Sequence, residues 1–136
     1  MPLVLDASMA STWCFPDEAG ADTDSVLHLV SDDGARVPAI WPLEIANVLL
    51  LGERRQRLTS DLRARAIDLL CSLPIVVAEM PVPHALGTVF DLAGVHGLTT
   101  YDAAYLDLAM RERLPLATLD ARLRAAATRV GVSLVQ

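Results

Sequence analysis

Leu3-Val4-Leu5-Asp6-Ala7-Ser8 decides how this chain is read. Three successive apolar residues stop at an acid, and the next residues are small and helix-compatible. An apolar run without polar alternation fits a strand covered on both faces, which is the requirement of a parallel sheet. An acid just past the carboxyl end of such a strand lies where open α/β sheets bind ligands. Working outward, the same grammar recurs. Val37-Pro38-Ala39-Ile40 reads as a second short strand, Ile75-Val76-Val77-Ala78 as a third, Leu116-Ala117-Thr118 as a fourth and Val132-Ser133-Leu134-Val135 as a fifth. Pro38 marks an edge or a strand start.

Helices fill the intervals. One is expected from about Asp17 to Ser31, before the turn signal Asp32-Asp33-Gly34. A second runs from Pro42 to about Arg57, with proline tolerated in its first turn. A third follows the cap Thr59-Ser60 and ends before Pro74. A fourth lies between Pro83 and Gly97, a fifth opens at Thr100-Tyr101-Asp102 and stops before Pro115, and a sixth starts at Asp120. Strands alternating with helices in one chain of 136 residues predict a single domain over 1–136. The expected fold is a three-layer α/β/α sandwich around a five-stranded parallel sheet with right-handed crossovers.

Composition narrows the class. Apolar residues make up 53% of the chain, which excludes a disordered segment, and aromatics only 4%, so Leu, Val, Ile and Ala must build the core. No basic region precedes an apolar stretch at the start, so no secretory signal is expected. Leu43 to Leu51 is too short to span a bilayer and carries Glu44 and Asn47. A cytoplasmic protein is the expectation. Cys14 and Cys71 have no metal-type spacing and are expected as buried, reduced thiols. The net charge of −6 argues against gripping nucleic acid by bulk charge. It leaves room for a local patch helped by metal ions, and it suits a basic protein partner.

Four acids stand out by position. Asp6 ends the first strand, Glu44 lies in the first turn of the second helix, Asp102 opens the fifth helix, and Asp120 opens the last. Each alone has a plain explanation as a helix cap or a first-turn acid. Together they fall at strand ends and helix starts, where carboxylates would converge and repel. A hard divalent cation relieves that repulsion, and Mg²⁺ leaves room for phosphate oxygens. A cation also activates water for phosphodiester hydrolysis.

These segments resemble the PIN domains, and in particular their VapC toxin branch. Leu3 to Ser8 is similar to the family's opening strand followed by Asp-x-Ser/Thr. Trp41-Pro42-Leu43-Glu44-Ile45-Ala46-Asn47-Val48-Leu49 resembles its Glu-centred helix. Leu98-Thr99-Thr100-Tyr101-Asp102-Ala103-Ala104-Tyr105-Leu106-Asp107-Leu108-Ala109 is similar to the branch's most characteristic segment, and Leu116-Ala117-Thr118-Leu119-Asp120 to its closing Thr-x-Asp. The resemblance implies an endoribonuclease dependent on Mg²⁺ or Mn²⁺, acting as the toxin of a type II toxin–antitoxin pair. It also implies a homodimer, a larger assembly with a VapB-like antitoxin, and RNA as substrate. Asp6, Glu44 and Asp102 would hold the principal metal, directly or through water, and Asp120 would complete the site. Ser8 would bond a carboxylate or the water, and Thr118 would orient Asp120.

Other residues are read more plainly. Asp107 lies about 140° around the helix from Asp102. A solvated ion pair with Arg111 is expected of it, though it stays a candidate accessory acid. His28, His84 and His96 are scattered and given no role. Arg54, Arg55 and Arg57 end a helix and either answer its dipole or contact RNA phosphate. Trp13 and Phe15 are either core or the lining of a groove for an antitoxin helix. The rival to the nuclease is a PIN-like RNA- or protein-binding module without catalysis. A haloacid-dehalogenase-type phosphatase would need an acid where Ser8 stands. A receiver domain would need a lysine, and the chain has none.

Overall fold

The computed structural model describes residues 1–135. Four short parallel strands form the sheet: β1 (Leu3–Leu5), β2 (Ala35–Val37), β3 (Ile75–Val77) and β4 (Leu116–Ala117), in the order β3-β2-β1-β4. The expected fifth strand is not formed. Val132 to Val135 approaches β4 through one parallel bridge, Leu116 to Leu134, and β4 is itself only two residues long. The second strand also sits earlier than expected. It ends at Val37, because Pro38 has no N–H to continue a ladder. Strand β3 is an edge. Val76 and Val77 are about half exposed, so both-face cover holds for β1 and β4 but not here.

The helices are α1 (Ala7–Ala10), α2 (Ala21–Asp33), α3 (Trp41–Arg54), α4 (Ser60–Ser72), α5 (Val82–His84), α6 (Phe90–His96), α7 (Thr100–Glu112) and α8 (Ala121–Val130). A π-helical turn, Ala85–Val89, joins α5 to α6. The short α1 and the 3₁₀ turn that follows it, Ser11–Cys14, were not expected from the sequence. Thr59 caps α4 by accepting from the Leu62 N–H, and Gly34 leaves α2 with φ of 86°, a conformation a side chain would strain. Among the described residues no helix is long and apolar enough to cross a membrane.

The chain visits β1, β2 and β3 moving one way, then returns to place β4 on the other side of β1. The strand order therefore reverses between β1 and β4, and a crevice opens beyond their carboxyl ends. Register puts Leu5 beside Ala117, so Asp6 and Thr118 emerge side by side into that crevice. Helix α7 packs against β1, β2 and β4 and also against α6, the π-turn and α8. Every residue from Ala103 to Ala109 is buried in consequence. Over that stretch the helix is enclosed on all sides and has no solvent face, while its two ends stay exposed. That corrects the expectation for Asp107, which is 2% exposed rather than solvated. The cysteine expectation holds in half: both thiols are free, but only Cys14 is buried and Cys71 is exposed on α4.

Candidate active site

A cavity of about 330 Å³ at the crevice is lined by Asp6, Ser8, Ser11, Glu44, Asn47, Asp102 and Asp120. All four acids singled out in the sequence, together with Ser8, thus reach one space. They come from four separate segments: the end of β1, the first turn of α3, the first turn of α7 and the cap of α8.

Each acid is positioned by local chemistry. Asp6 is 4% exposed and accepts from Ser8 Oγ at 2.7 Å and from Thr118 Oγ1 at 2.6 Å, both at Oδ2. Its backbone N–H donates to Ala117 O at 3.0 Å, which extends the β1–β4 pairing by one bond. Thr118 therefore orients Asp6. It also accepts from the Asp120 backbone N–H at 3.0 Å, so it ties the Asp120 segment as well as orienting Asp6. Ser8 Oγ also accepts from the Leu119 N–H, tying the turn after β1 to the turn after β4.

Glu44 Oε1 accepts from Tyr105 Oη at 2.6 Å. Tyr105 is fully buried in α7, and its hydroxyl is the fixed point that sets the carboxylate's reach. The sequence motif contains Tyr105, but no role is expected of it there. A buried tyrosine needs a partner for its hydroxyl, and that requirement was the available signal. Asp102 stands three residues after the cap Thr99, whose Oγ1 accepts from the Asp102 N–H at 3.1 Å. The cap occupies the backbone amide, and the carboxylate lines the cavity, where Thr99 partly opposes the rise of its pKa. Asp120 caps α8, with Oδ1 accepting from the Leu123 N–H at 2.9 Å. The plain capping explanation is thus correct for one of its oxygens. In Asp6, Glu44 and Asp120 alike, one oxygen is held and the other has no side-chain hydrogen bond among the described residues.

The electrostatics follow. Burial pushes the Asp6 carboxyl up, against the Thr118 and Ser8 hydroxyls that lower it. Burial also raises Glu44, with the charges of Asp6 and Asp102 adding to the rise and the Tyr105 bond opposing it. Asp102 is raised by burial first, then by Asp120 and Asp6. Burial and the bond to Glu44 push the Tyr105 hydroxyl well above its ordinary value, so it stays a donor. Among the described residues no basic side chain lines the cavity with these acids. The charge set is one of like groups sharing a desolvated cleft, which raises carboxylate pKa values.

The donors are all oxygen, the set that Mg²⁺ and Mn²⁺ prefer. Among the described residues no three acidic, histidine or cysteine side chains close up into a ready-made metal cage. Mg²⁺ does not require one, since it keeps several waters and takes one or two carboxylates directly. The residues fit an ion held partly through water better than one enclosed by protein.

Trp13 donates its indole N–H to Thr23 O at 2.9 Å and packs against the core. Phe15 is 3% exposed under the Arg57 guanidinium, 4.4 Å from the ring centroid. Trp13 is partly buried against the core, and Phe15 is buried with its ring lining a cavity beside Arg57. His84 does have a partner: Nε2 lies 2.9 Å from Asp107 Oδ2, and Arg111 Nε donates to the same oxygen at 2.9 Å.

The chain resembles known proteins along most of its length. A sequence model described as the PIN domain matches residues 3–128. Ribonuclease VapC3 of Pyrobaculum aerophilum is 30% identical over 123 residues, 90% of this chain and 92% of that protein. The crystal structure of PAE2754 from Pyrobaculum aerophilum is similar with a TM-score of 0.69 at 26% identity, over 93% of this chain and 86% of that one. FitAcB from Neisseria gonorrhoeae shares the fold, with a TM-score of 0.64 at 19% identity over 98% and 96% of the two chains. Four parallel strands reversing at β1 and β4, acids gathered at that reversal, and a family match from the first strand into the last helix lead to one assignment: this chain belongs to the PIN domain family.

Proposed function

We propose that this protein is a metal-dependent endoribonuclease and the toxin of a type II toxin–antitoxin pair. One observation carries the reading: Asp6, Glu44, Asp102 and Asp120 line a single cavity at the strand-order reversal of a PIN-family chain. The 30% identity to a protein named ribonuclease VapC3 supports RNA as the substrate.

Asp6, Glu44 and Asp102 would hold Mg²⁺ or Mn²⁺, and Asp120 would complete the site through its free oxygen. When bound, the cation neutralises phosphate charge and makes water a better nucleophile. The protein's part is positioning. Ser8 and Thr118 fix Asp6, Tyr105 fixes Glu44, and the Thr99 and Asp120 caps fix the other two segments. Ionised carboxylates are required, so activity falls as pH drops through the raised pKa values of Asp6, Glu44 and Asp102.

Partner surfaces support the assembly. An apolar groove of about 520 Å³ runs between α3 and α4, lined by Trp41, Ile45, Leu49, Ile67 and Leu70. The buried side-chain polar atoms without a hydrogen bond among the described residues, Trp41 Nε1 and Glu53 Oε1, belong to residues of this groove. Arg63 Nη1 lies 3.1 Å from Glu53 Oε1 but out of hydrogen-bond alignment. A basic amphipathic antitoxin segment would cover the apolar wall. On another face, exposed Leu86, Phe90 and Tyr101 rim an apolar cavity of about 360 Å³, a surface suited to a second copy.

The open arrangement of the acids favours one rival, a PIN-like module that binds without cutting. Cleavage of single-stranded RNA separates the two. The nuclease cuts with Mg²⁺ or Mn²⁺ and stops with EDTA. Asp6→Asn lowers the rate by roughly a thousandfold, several kcal/mol of cation-dependent stabilisation, with circular dichroism unchanged. Cutting that persists in EDTA or in Asp6→Asn removes the mechanism.

A further inference from the structure

The acidic cavity does not end at the acids. A second cavity of about 230 Å³, lined by Ser11, Phe15, Glu18, Val48, Leu51, Gly52, Arg55 and Arg57, shares Ser11 and Val48 with it. The two form one trough along α3. Glu44, Asn47, Val48, Leu51 and Arg55 are spaced to lie on one helical face. From Glu44 to Arg55 that face runs about 16 Å.

The far wall of the trough is built and braced. Gly52 is there because Phe15 is: a Cβ on Gly52 would stand 2.9 Å from Phe15 Cε1. Arg57 stacks over the same ring and is held by Glu18 at 2.9 Å and Asp17 at 3.4 Å. Its charge is already answered. Arg55 differs. It is exposed, lines the trough, and makes no ion pair among the described residues. A chain of net charge −6 with acids at one end of the trough holds a free guanidinium at the other.

We propose that the trough along α3 is the track of the RNA strand flanking the scissile bond, and that Arg55 contacts a backbone phosphate there. The proposal rests on the nuclease reading and adds to it a direction for the substrate. It also assigns different work to neighbouring arginines, Arg57 bracing the wall and Arg55 meeting the ligand. A phosphate contact positions without reading sequence. It therefore acts on binding rather than on the chemical step, and it is screened by salt.

The test compares wild type, Arg55→Ala and Arg65→Ala, the last being the same charge change on the exposed face of α4 outside both cavities. One readout is cleavage of a fluorophore-quencher single-stranded RNA in Mn²⁺ across a salt series. The other is fluorescence anisotropy of a labelled 2′-O-methyl RNA that the enzyme cannot cut. Arg55→Ala is expected to raise KM about fivefold with kcat unchanged, to weaken probe binding in step, and to flatten the salt slope by about 0.7. Arg65→Ala should track wild type. If wild type cuts and Arg55→Ala matches it in KM, slope and anisotropy, RNA does not pass over Arg55 and the proposal fails alone. It fails equally if kcat falls and KM does not, or if Arg55→Ala loses antitoxin binding while RNA binding stays. If wild type neither cuts nor binds RNA, the nuclease reading falls and takes this proposal with it.

Discussion

Asp102 and Asp107 stand five residues apart on the same helix and live in opposite circumstances. Asp107 is almost wholly buried, 3% exposed at the side chain, and is met by Arg111 and His84 at 2.9 Å each. Asp102 is only partly buried, yet it has no ion-pair partner among the described residues. Its charged neighbours are Asp120 and Asp6, and its carboxyl is pushed up. Burial alone would single out Asp107 of the two, but the partners reverse that ranking. A buried carboxylate whose hydrogen-bonding partners are built in is part of the scaffold. A half-buried charge facing other like charges is the arrangement that the proposed cation would relieve.

The contrast breaks most readily at Arg111. Arg111→Met strips one partner from a buried carboxylate and leaves His84. It should destabilise the fold by about 3 kcal/mol, the low end for that loss, read as a lower urea midpoint with an unchanged slope. A loss below about 1 kcal/mol would mean that Asp107 does not depend on its arginine.

A smaller effect sharpens the other half. Mg²⁺ or Mn²⁺ should raise the melting temperature of wild type near neutral pH, by about 1–3 kcal/mol of stability at saturating ion. Asp102→Asn should lose most of that response, whereas Arg111→Met should keep it, since Asp107 lies outside the acidic cavity. An equal metal response in wild type and Asp102→Asn would dissolve the distinction between the two acids.

The smallest effect concerns the metal-free protein and its pH dependence. Asp6, Glu44 and Asp102 all have raised carboxyl pKa values. A group raised in the folded state holds its proton more tightly there. The stability it contributes is full at low pH and is lost as pH rises through the raised value. Metal-free protein should therefore gain stability on going from pH 7 toward pH 5, and the metal response should shrink over the same range as protons compete for the oxygens. Asp102→Asn should stabilise the metal-free fold by only a few tenths of a kcal/mol, because solvent screens a half-exposed group. Thermal melts in EDTA at the two pH values check the sign, and a metal-free protein less stable at pH 5 would contradict it.

Much of this was legible in the chain itself. Leu3-Val4-Leu5 ending at Asp6, the apolar runs between helical segments, and the Asp120 and Thr59 caps are local signals, carried by residues within a few positions of one another. Local signals survive in a sequence because hydrogen bonding and burial act first on neighbours. The candidate acids were readable for the same reason, each lying at a strand end or a helix start. Tertiary structure alone decided the rest. Whether Val132 to Val135 becomes a strand depends on how much of β4 remains to pair with it, and one bridge is all that forms. Whether Asp107 meets water depends on α6, the π-turn and α8 closing over α7, which no periodicity within α7 can report. Tyr105 reaching Glu44, Thr118 reaching Asp6 and His84 reaching Asp107 are bonds across 61, 112 and 23 positions of chain. Such pairings are set by how strands and helices stack, because side-chain hydrogen bonds act over about 3 Å and only the folded backbone brings distant residues that close.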